Sequence, residues 1–406
     1  MTALTPQTAD FGPPAAMRDT PINWLKKNLF SPWYNTIITL VIGAIALYAA
    51  YTFGNWALTT AQWDVIPRNL QLLMVGRYPS ELYWRLWVLL GLVAVFSGLS
   101  WGVVARRAPQ LYSRNILIGL AIAAGVCLLV PTPLPYRLLL LALLLVIAIT
   151  AWVGQQAGQR LPALGTWISF GWFGVFVTGL ILIGGGFFGL ESVGTNEWQG
   201  LLLTALTAAI SIVLCFPIGV IVALGRRSPL PILRWLCVAY IEVIRGVPLI
   251  TILFMGQVMI PLFLPEGMRP DRVIRAIVGL TLFSSAYLAE NVRGGLQSIP
   301  RGQGEAARAL GLNPVLTVSL IVLPQALKAV IPAIVGQFIS LFQDTTLLAI
   351  VGLVELLGIS NSILANPQFL GRFSEVYLFD ALLFWGFCYA MSAASRWVEA
   401  KVNVDH

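Results

Sequence analysis

The sequence predicts an all-α integral membrane protein of about ten transmembrane helices. Three observations predict it. Of the 406 residues, 58% are hydrophobic and only 10% are charged, with mean hydropathy +0.83; soluble domains run near a quarter charged. Apolar runs near the length that crosses a bilayer, about 20 residues, recur along the whole chain. The basic residues are distributed unevenly between the segments that separate those runs.

Ten spans are expected: 35–56, 87–104, 116–130, 138–153, 167–190, 200–224, 235–263, 275–291, 325–342 and 377–396. The third and fourth are short and are split by Pro131, Pro133 and Pro135, so they read as a tight helical hairpin. Residues 347–358 (LLAIVGLVELLG) are apolar but too short to span, and are expected to lie at an interface or to re-enter. With the N-terminus inside, sixteen of the 25 Lys and Arg fall in inner segments and eight in outer ones, with Arg245 inside a predicted helix. This bias supports an even number of spans and cytoplasmic placement of both termini. Trp and Tyr near predicted helix ends, such as Trp33, Tyr34 and Trp198, read as interfacial belts. Residues 1–30 are polar and Pro-rich, so no cleavable signal peptide is expected, and the run from Thr36 serves as the targeting signal.

Composition excludes several functions. The net charge of +8 reads as basic residues retained on the inner side, not as a nucleic-acid surface. The one histidine is His406, and the four cysteines (Cys127, Cys215, Cys237, Cys388) are scattered through apolar segments, so neither a metal nor a disulfide framework is expected. No G-x-x-x-x-G-K-[ST], G-x-S-x-G or H-E-x-x-H is present, and no catalytic residue is assigned.

The expected organisation is a cytoplasmic tail at 1–34 and an accessory five-helix membrane region at 35–196. The second contains an outer loop at 57–86. A second membrane region at 197–398 holds the polar motifs, and a tail follows at 399–406. No internal repeat relates the two membrane regions. Pro217, Pro248, Pro261 and Pro332 in or near spans suggest kinked helices around a cavity.

The motif with most content lies on the polar loop 298–324: Glu305-Ala306-Ala307, Gly311, then Ile321-Val322-Leu323-Pro324. Ala306 and Ala307 are small helix formers that permit close approach of a partner. Glu305 favours a helix start. Gly311 turns the chain after a short helix, and Asn313-Pro314 begins the next. A helix–turn–helix across the membrane face results. This pattern resembles the EAA-x3-G-x9-I-x-L-P cytoplasmic loop of bacterial ABC importer permeases.

Further segments extend the resemblance to the polar amino acid permeases of that family. Gly200–Ser228 resembles their first core helix, Tyr240–Leu249 their Y-x-E-x-x-R-G-[TV]-P-L segment, Ala286–Gly295 their A-Y-x-A-E-x-x-R-G-G segment, and Asp344–Leu347 their D-[ST]-[ST]-L segment. Gln343 stands where members often carry Lys. The extra N-terminal spans resemble the longer permease of the general L-amino acid importers. The resemblance implies a type I ABC importer core in a bacterial inner membrane, with a second permease chain forming a heterodimer. It also implies two ABC ATPase subunits, which carry the ATP and Mg, and an external amino-acid-binding protein; this chain holds no cofactor. Glu305, Ala306, Ala307, Arg308, Leu310, Gly311 and Leu312 would dock the ATPase, and the substrate would be a polar or broadly selected L-amino acid.

Five residues are candidates for the substrate path or gate. Glu242 and Arg245, three apart, share a helix face and are expected to pair, as are Glu290 and Arg293. Charges near the bilayer mark a functional site or a structural pair. Asp344, followed by Thr345, either meets an amino group or caps a helix over Leu347–Leu357. The rival function is an ion-gradient-driven secondary amino acid transporter, in which Glu242, Glu290 and Asp344 would bind the coupling ion.

Overall fold

A computed structural model describes residues 20–106, 110–161, 163–265 and 267–404. Most of the N-terminal tail, and His406, lie outside the described residues. By packing, the chain falls into two units, Met1–Gln62 and Trp63–His406. The first holds α1 (Pro21–Leu29) and α2 (Trp33–Asn55), which runs on through a π turn at Trp56–Thr60.

The second unit begins with α3 (Val65–Val75), inside the segment expected to be an outer loop. The helices α4 (Tyr83–Val104), α5 (Arg114–Leu129), α6 (Leu134–Arg160) and α7 (Leu164–Gly184) follow. Next come α8 (Gly200–Arg226), α9 (Pro231–Gly246), α10 (Leu249–Phe254) and, after a π turn, α11 (Ile260–Phe263). The chain continues with α12 (Arg272–Ser298), α13 (Arg301–Ala309), α14 (Pro314–Leu316), a π turn, and α15 (Leu323–Ala329). It ends with α16 (Ile331–Asp344), α17 (Leu356–Leu364) and α18 (Phe373–Val404).

Among the described residues eight helices are long and apolar enough to cross a membrane, and nine if α9 and α10–α11 form one span. The expected span 235–263 is that pair, bent by 102° between Gly246 and Leu249. Pro248 supplies no N–H and biases Val247 to an extended conformation (ψ 135°), so the helix breaks there. The expected hairpin is α5 and α6: α5 has 16 residues, short of a full span, while α6 has 27. Pro217 lies within a continuous α8.

Between apolar helices in lipid there is little hydrophobic drive; close backbone approach and dispersion replace it. The accessory helices α4 and α6 show this. Gly98 and Gly102 of α4 face Ile147–Ala151 of α6, and Gly154 of α6 faces the backbone of Leu99; a Cβ at any of the three would strike the neighbouring helix. In the second membrane region α12 packs along α8, and Gly219 makes room for Leu288. Apolar clusters join α8 and α12 with α9, α15 and α16 around Cys215, Ala289 and Ala326, and α3 with α17 and α18 around Leu73, Leu356 and Val376. Thus α3, part of the accessory region by sequence, is seated on helices of the later one.

Candidate coupling loop and charge cluster

The helix α13 carries Glu305, Ala306, Ala307 and Arg308, and it ends in a complete Schellman turn. The Gly311 N–H donates to the Arg308 carbonyl at 2.9 Å and the Leu312 N–H to the Ala307 carbonyl at 3.2 Å. Gly311 takes φ +84°, open to glycine and strained for other residues. Asn313 then caps α14, its Oδ1 accepting from the Leu316 N–H at 2.8 Å, with Pro314 in the first turn. Gly311 and Asn313-Pro314 therefore make the reversal and the new helix that the sequence predicts, whereas Glu305 lies in the middle of α13, which begins at Arg301 with no acid in its first turn.

Of this motif only Ala307 is buried; Leu312 is half-buried, and Glu305, Ala306, Arg308, Leu310 and Gly311 are exposed. Leu310 is 84% and Val315 75% exposed, and the Glu305 side chain of the same loop is exposed as well. Behind this surface Gln325 Nε2 of α15 donates to Gln303 Oε1 of α13 at 3.4 Å, and it also donates to the Ile321 carbonyl one turn earlier in its own segment at 2.8 Å. In turn α15 lies directly against α12, where a Cβ on Gly295 would sit 2.6 Å from the Ala326 carbonyl.

Five residues before Gly295 stands Glu290, the hub of an ionic cluster. Arg226 of α8 reaches its Oε1 at 2.6 Å; Arg293 donates Nε and Nη2 to its Oε2 at 2.9 and 2.7 Å; Arg245 at the end of α9 approaches at 3.7 Å. The Glu290 side chain is 15% exposed. Arg245 also stacks over the Tyr287 ring, 5.1 Å from its centroid. Glu242 pairs with Arg226, at 3.4 Å, and Arg245 with Glu290. The expected Glu242–Arg245 pair therefore does not form: α8 and α12 offer each a partner from another helix. Glu290 and Arg293 do pair. The cluster gathers three arginines and two glutamates from α8, α9 and α12.

Asp344 and Thr345 lie elsewhere. On α16, Ala333 is level with Asn291 (Asn291 Nδ2 to the Ala333 carbonyl, 3.3 Å) and Gln337 with Ser284, so the end of α16 points away from the Glu290 cluster. Of the two roles open to Asp344, capping is not seen: its side chain caps nothing, and a 3-10 turn at Thr345–Ala349 takes the place of the helix expected over Leu347–Leu357. Thr345 is buried, its hydroxyl donating to the Phe342 carbonyl at 2.7 Å.

The cap is Glu355, which the sequence reading missed. Fully buried, it starts α17: Oε1 accepts from the Gly358 N–H at 2.9 Å and Oε2 from the Leu357 N–H at 3.0 Å. Thr204 of α8 lies beside it, its Oγ1 3.4 Å from Oε2, and accepts from the Leu356 N–H at 3.1 Å. Burial, then the charge of nearby Asp380, push the Glu355 carboxyl up to about 7. Its signal in the sequence was a lone acid in an apolar run, three residues after Gly352, which turns the chain at φ +82°.

Residues 215–404 match the family described as binding-protein-dependent transport system inner membrane component. Over 399 residues the chain is 38% identical to the inner membrane amino-acid ABC transporter permease protein YhdY of Escherichia coli, covering 94% of this chain and 92% of that one. It is 35% identical to the glutamate/glutamine/aspartate/asparagine transport system permease protein BztC of Rhodobacter capsulatus, covering 95% and 94%. The probable glutamine ABC transporter permease protein GlnP of Bacillus subtilis is 39% identical over 206 residues, 50% of this chain and 92% of that shorter one. The chain belongs to the amino-acid ABC importer permeases, multi-pass inner membrane subunits that do not themselves hydrolyse ATP.

Proposed function

We propose that this permease takes up glutamate, glutamine, aspartate, asparagine or a broader set of L-amino acids, and that it is driven through α13. The similarity to BztC along nearly the whole chain supports the substrate class. Residues 197–398 form the translocation core and 35–196 an accessory region, with both termini and α13 on the cytoplasmic side. A homologous permease chain, two ATPase subunits holding ATP and Mg, and an external binding protein complete the importer. An ATPase covers Glu305, Ala306, Arg308, Leu310 and Gly311.

The observation that carries this reading is the mechanical continuity from α13 to α12. A push on α13 passes to α15 through Gln303–Gln325, and from α15 to α12 where Gly295 meets Ala326. It arrives within about two turns of Glu290, whose ionic bonds hold α8, α9 and α12 together. Packed helices move as units, so rearrangement of these pairs is how the gate opens and closes during alternating access. Solute passes with no covalent step. The test is a reconstituted importer carrying Glu305→Gln and Gly311→Ala. The variant is expected to insert normally and to lose stimulation of ATP hydrolysis by the loaded binding protein. Undiminished stimulation would sink the docking assignment.

A further inference from the structure

The short helix α1 is accounted for by neither transport nor docking. Its residues stand 100° apart, so Ile22, Leu25 and Leu29 share one face at i, i+3 and i+7, while Asn23 and Lys27 point the other way and Lys26 borders the apolar face. Ile22 is 74% exposed, and the last turn holds Lys26 and Lys27 with no acid in the first turn. The corner into α2 is built. The Thr39 hydroxyl donates to the Leu29 carbonyl at 2.8 Å, the Thr36 hydroxyl to the Phe30 carbonyl at 2.9 Å, and Asn35 Nδ2 to the Ser31 carbonyl at 3.1 Å. Side chains of the first turns of α2 thus satisfy carbonyls that the end of α1 leaves open.

We propose that α1 lies on the membrane surface, with Ile22, Leu25 and Leu29 against acyl chains and Lys26 and Lys27 on the phosphates of anionic lipids. Its depth follows from continuity with α2, a membrane span that begins at the exposed pair Trp33 and Tyr34, side chains suited to the headgroup level. The elbow holds α1 at that level. Charge selects the lipid: two lysines, with no acid among the described residues of the first unit, favour an anionic surface, each contributing through the local potential. A protein partner fits less well, because a helix of nine residues presents far less than the roughly 1,000 Å² of a stable interface. The arrangement is that of an amphipathic helix in the interfacial plane.

The experiment uses the full chain in nanodiscs of phosphatidylcholine with and without phosphatidylglycerol. With Cys127, Cys215, Cys237 and Cys388 replaced by alanine, an environment-sensitive fluorophore is attached at Ile22→Cys, Leu25→Cys, Asn23→Cys or Lys27→Cys. Blue-shifted emission at 22 and 25 but not at 23 and 27 is expected. Equal emission at all four positions, or a shift at 22 and 25 only after the complete importer is assembled, would overturn the proposal.

The unaltered chain supplies a second measurement, because it has only four lysines: Lys26, Lys27, Lys328 and Lys401. Acylation of Lys26 and Lys27 by a water-soluble amine reagent, relative to exposed Lys328, is expected to slow when phosphatidylglycerol is present and to recover in high salt. Rates unchanged by lipid composition would overturn the preference for anionic lipid.

Discussion

Arg226 Nη1 stands 2.6 Å from Glu290 Oε1, joining the end of α8 to the middle of α12. This bond is the shortest of three that arginines make to one carboxylate, and Glu290 is the most buried member of the cluster. Removing Glu290 would leave Arg226, Arg245 and Arg293 facing one another without their shared anion. The uncompensated charge then dominates the loss, which partial exposure of the arginines holds to about 1–3 kcal/mol, below that of a fully buried pair.

Glu290→Gln is therefore expected to be destabilising, and Arg226→Gln with Glu290→Gln less so than the sum of the two single changes. Glu242→Gln and Arg245→Gln are expected to couple more weakly than the Arg226–Glu290 pair, because the two side chains meet only through Arg226 and Glu290. Thermal unfolding in detergent across both double-mutant cycles checks this. Strong coupling in the Glu242–Arg245 cycle with none in the other would reverse the assignment of partners.

Gly295→Val tests transmission separately from docking. The added side chain meets the Ala326 carbonyl and must push α15 away from α12, an overpacking expected to cost about 1–3 kcal/mol. The exposed surface of α13 is left untouched. The variant is expected to bind its ATPase normally while uptake falls steeply. Equal loss of ATPase binding and of uptake would mean that Gly295 supports the docking surface and not the linkage behind it.

What was legible in the sequence was what is local. Gly311 and Asn313-Pro314 carry the turn and the cap in their own backbone preferences, so their structure could be read from spacing. The partners of Glu242 and Arg245 could not, because spacing along one helix finds only neighbours three or four residues away, and Arg226 arrives from α8 by packing. Pro248 signalled a kink, but its size depends on how α9 and α10 separately meet α12. Gly98 and Gly102, four apart, did announce the close contact of α4 with α6 and were passed over. Glu355 could not be read from spacing, because its burial depends on Thr204 of α8, which reaches it only in the packed chain.

The contact of α4 with α6 gives a prediction for the accessory region. Gly102→Val is expected to separate the two helices, because its side chain would collide with the Ala151 carbonyl. Gly91, with open space around it, is the control: Gly91→Val is expected to have little effect. Protease sensitivity and melting temperature of the two variants decide the matter, and similar behaviour in both would argue against a structural seam at Gly102.

At the far end, Asp380 is 4% exposed, and its carboxyl faces the Ser360 hydroxyl without a hydrogen bond of good geometry among the described residues. An ionised carboxylate so placed is costly. Asp380→Asn keeps the shape and removes that cost, so it is expected to preserve or raise the melting temperature. A clear drop would show that the Asp380 carboxyl has a partner in the assembled importer or in the lipid.

Glu355 sets a pH dependence for the same region. Its carboxyl titrates at about 7 in the folded chain, against an ordinary value of 4.5. Between about pH 4.5 and 7 the folded state therefore holds a proton that the unfolded state has released, so stability is full below that window and falls as pH rises through it. The shift corresponds to a loss on the order of 3 kcal/mol. The melting temperature is expected to drop from about pH 5 to about pH 8. Glu355→Gln retains an amide oxygen to accept from the Gly358 N–H but has no proton to lose, so its melting curve should be much flatter over that window. Parallel curves for the two proteins would assign the pH dependence to other groups and leave Glu355 as a cap alone.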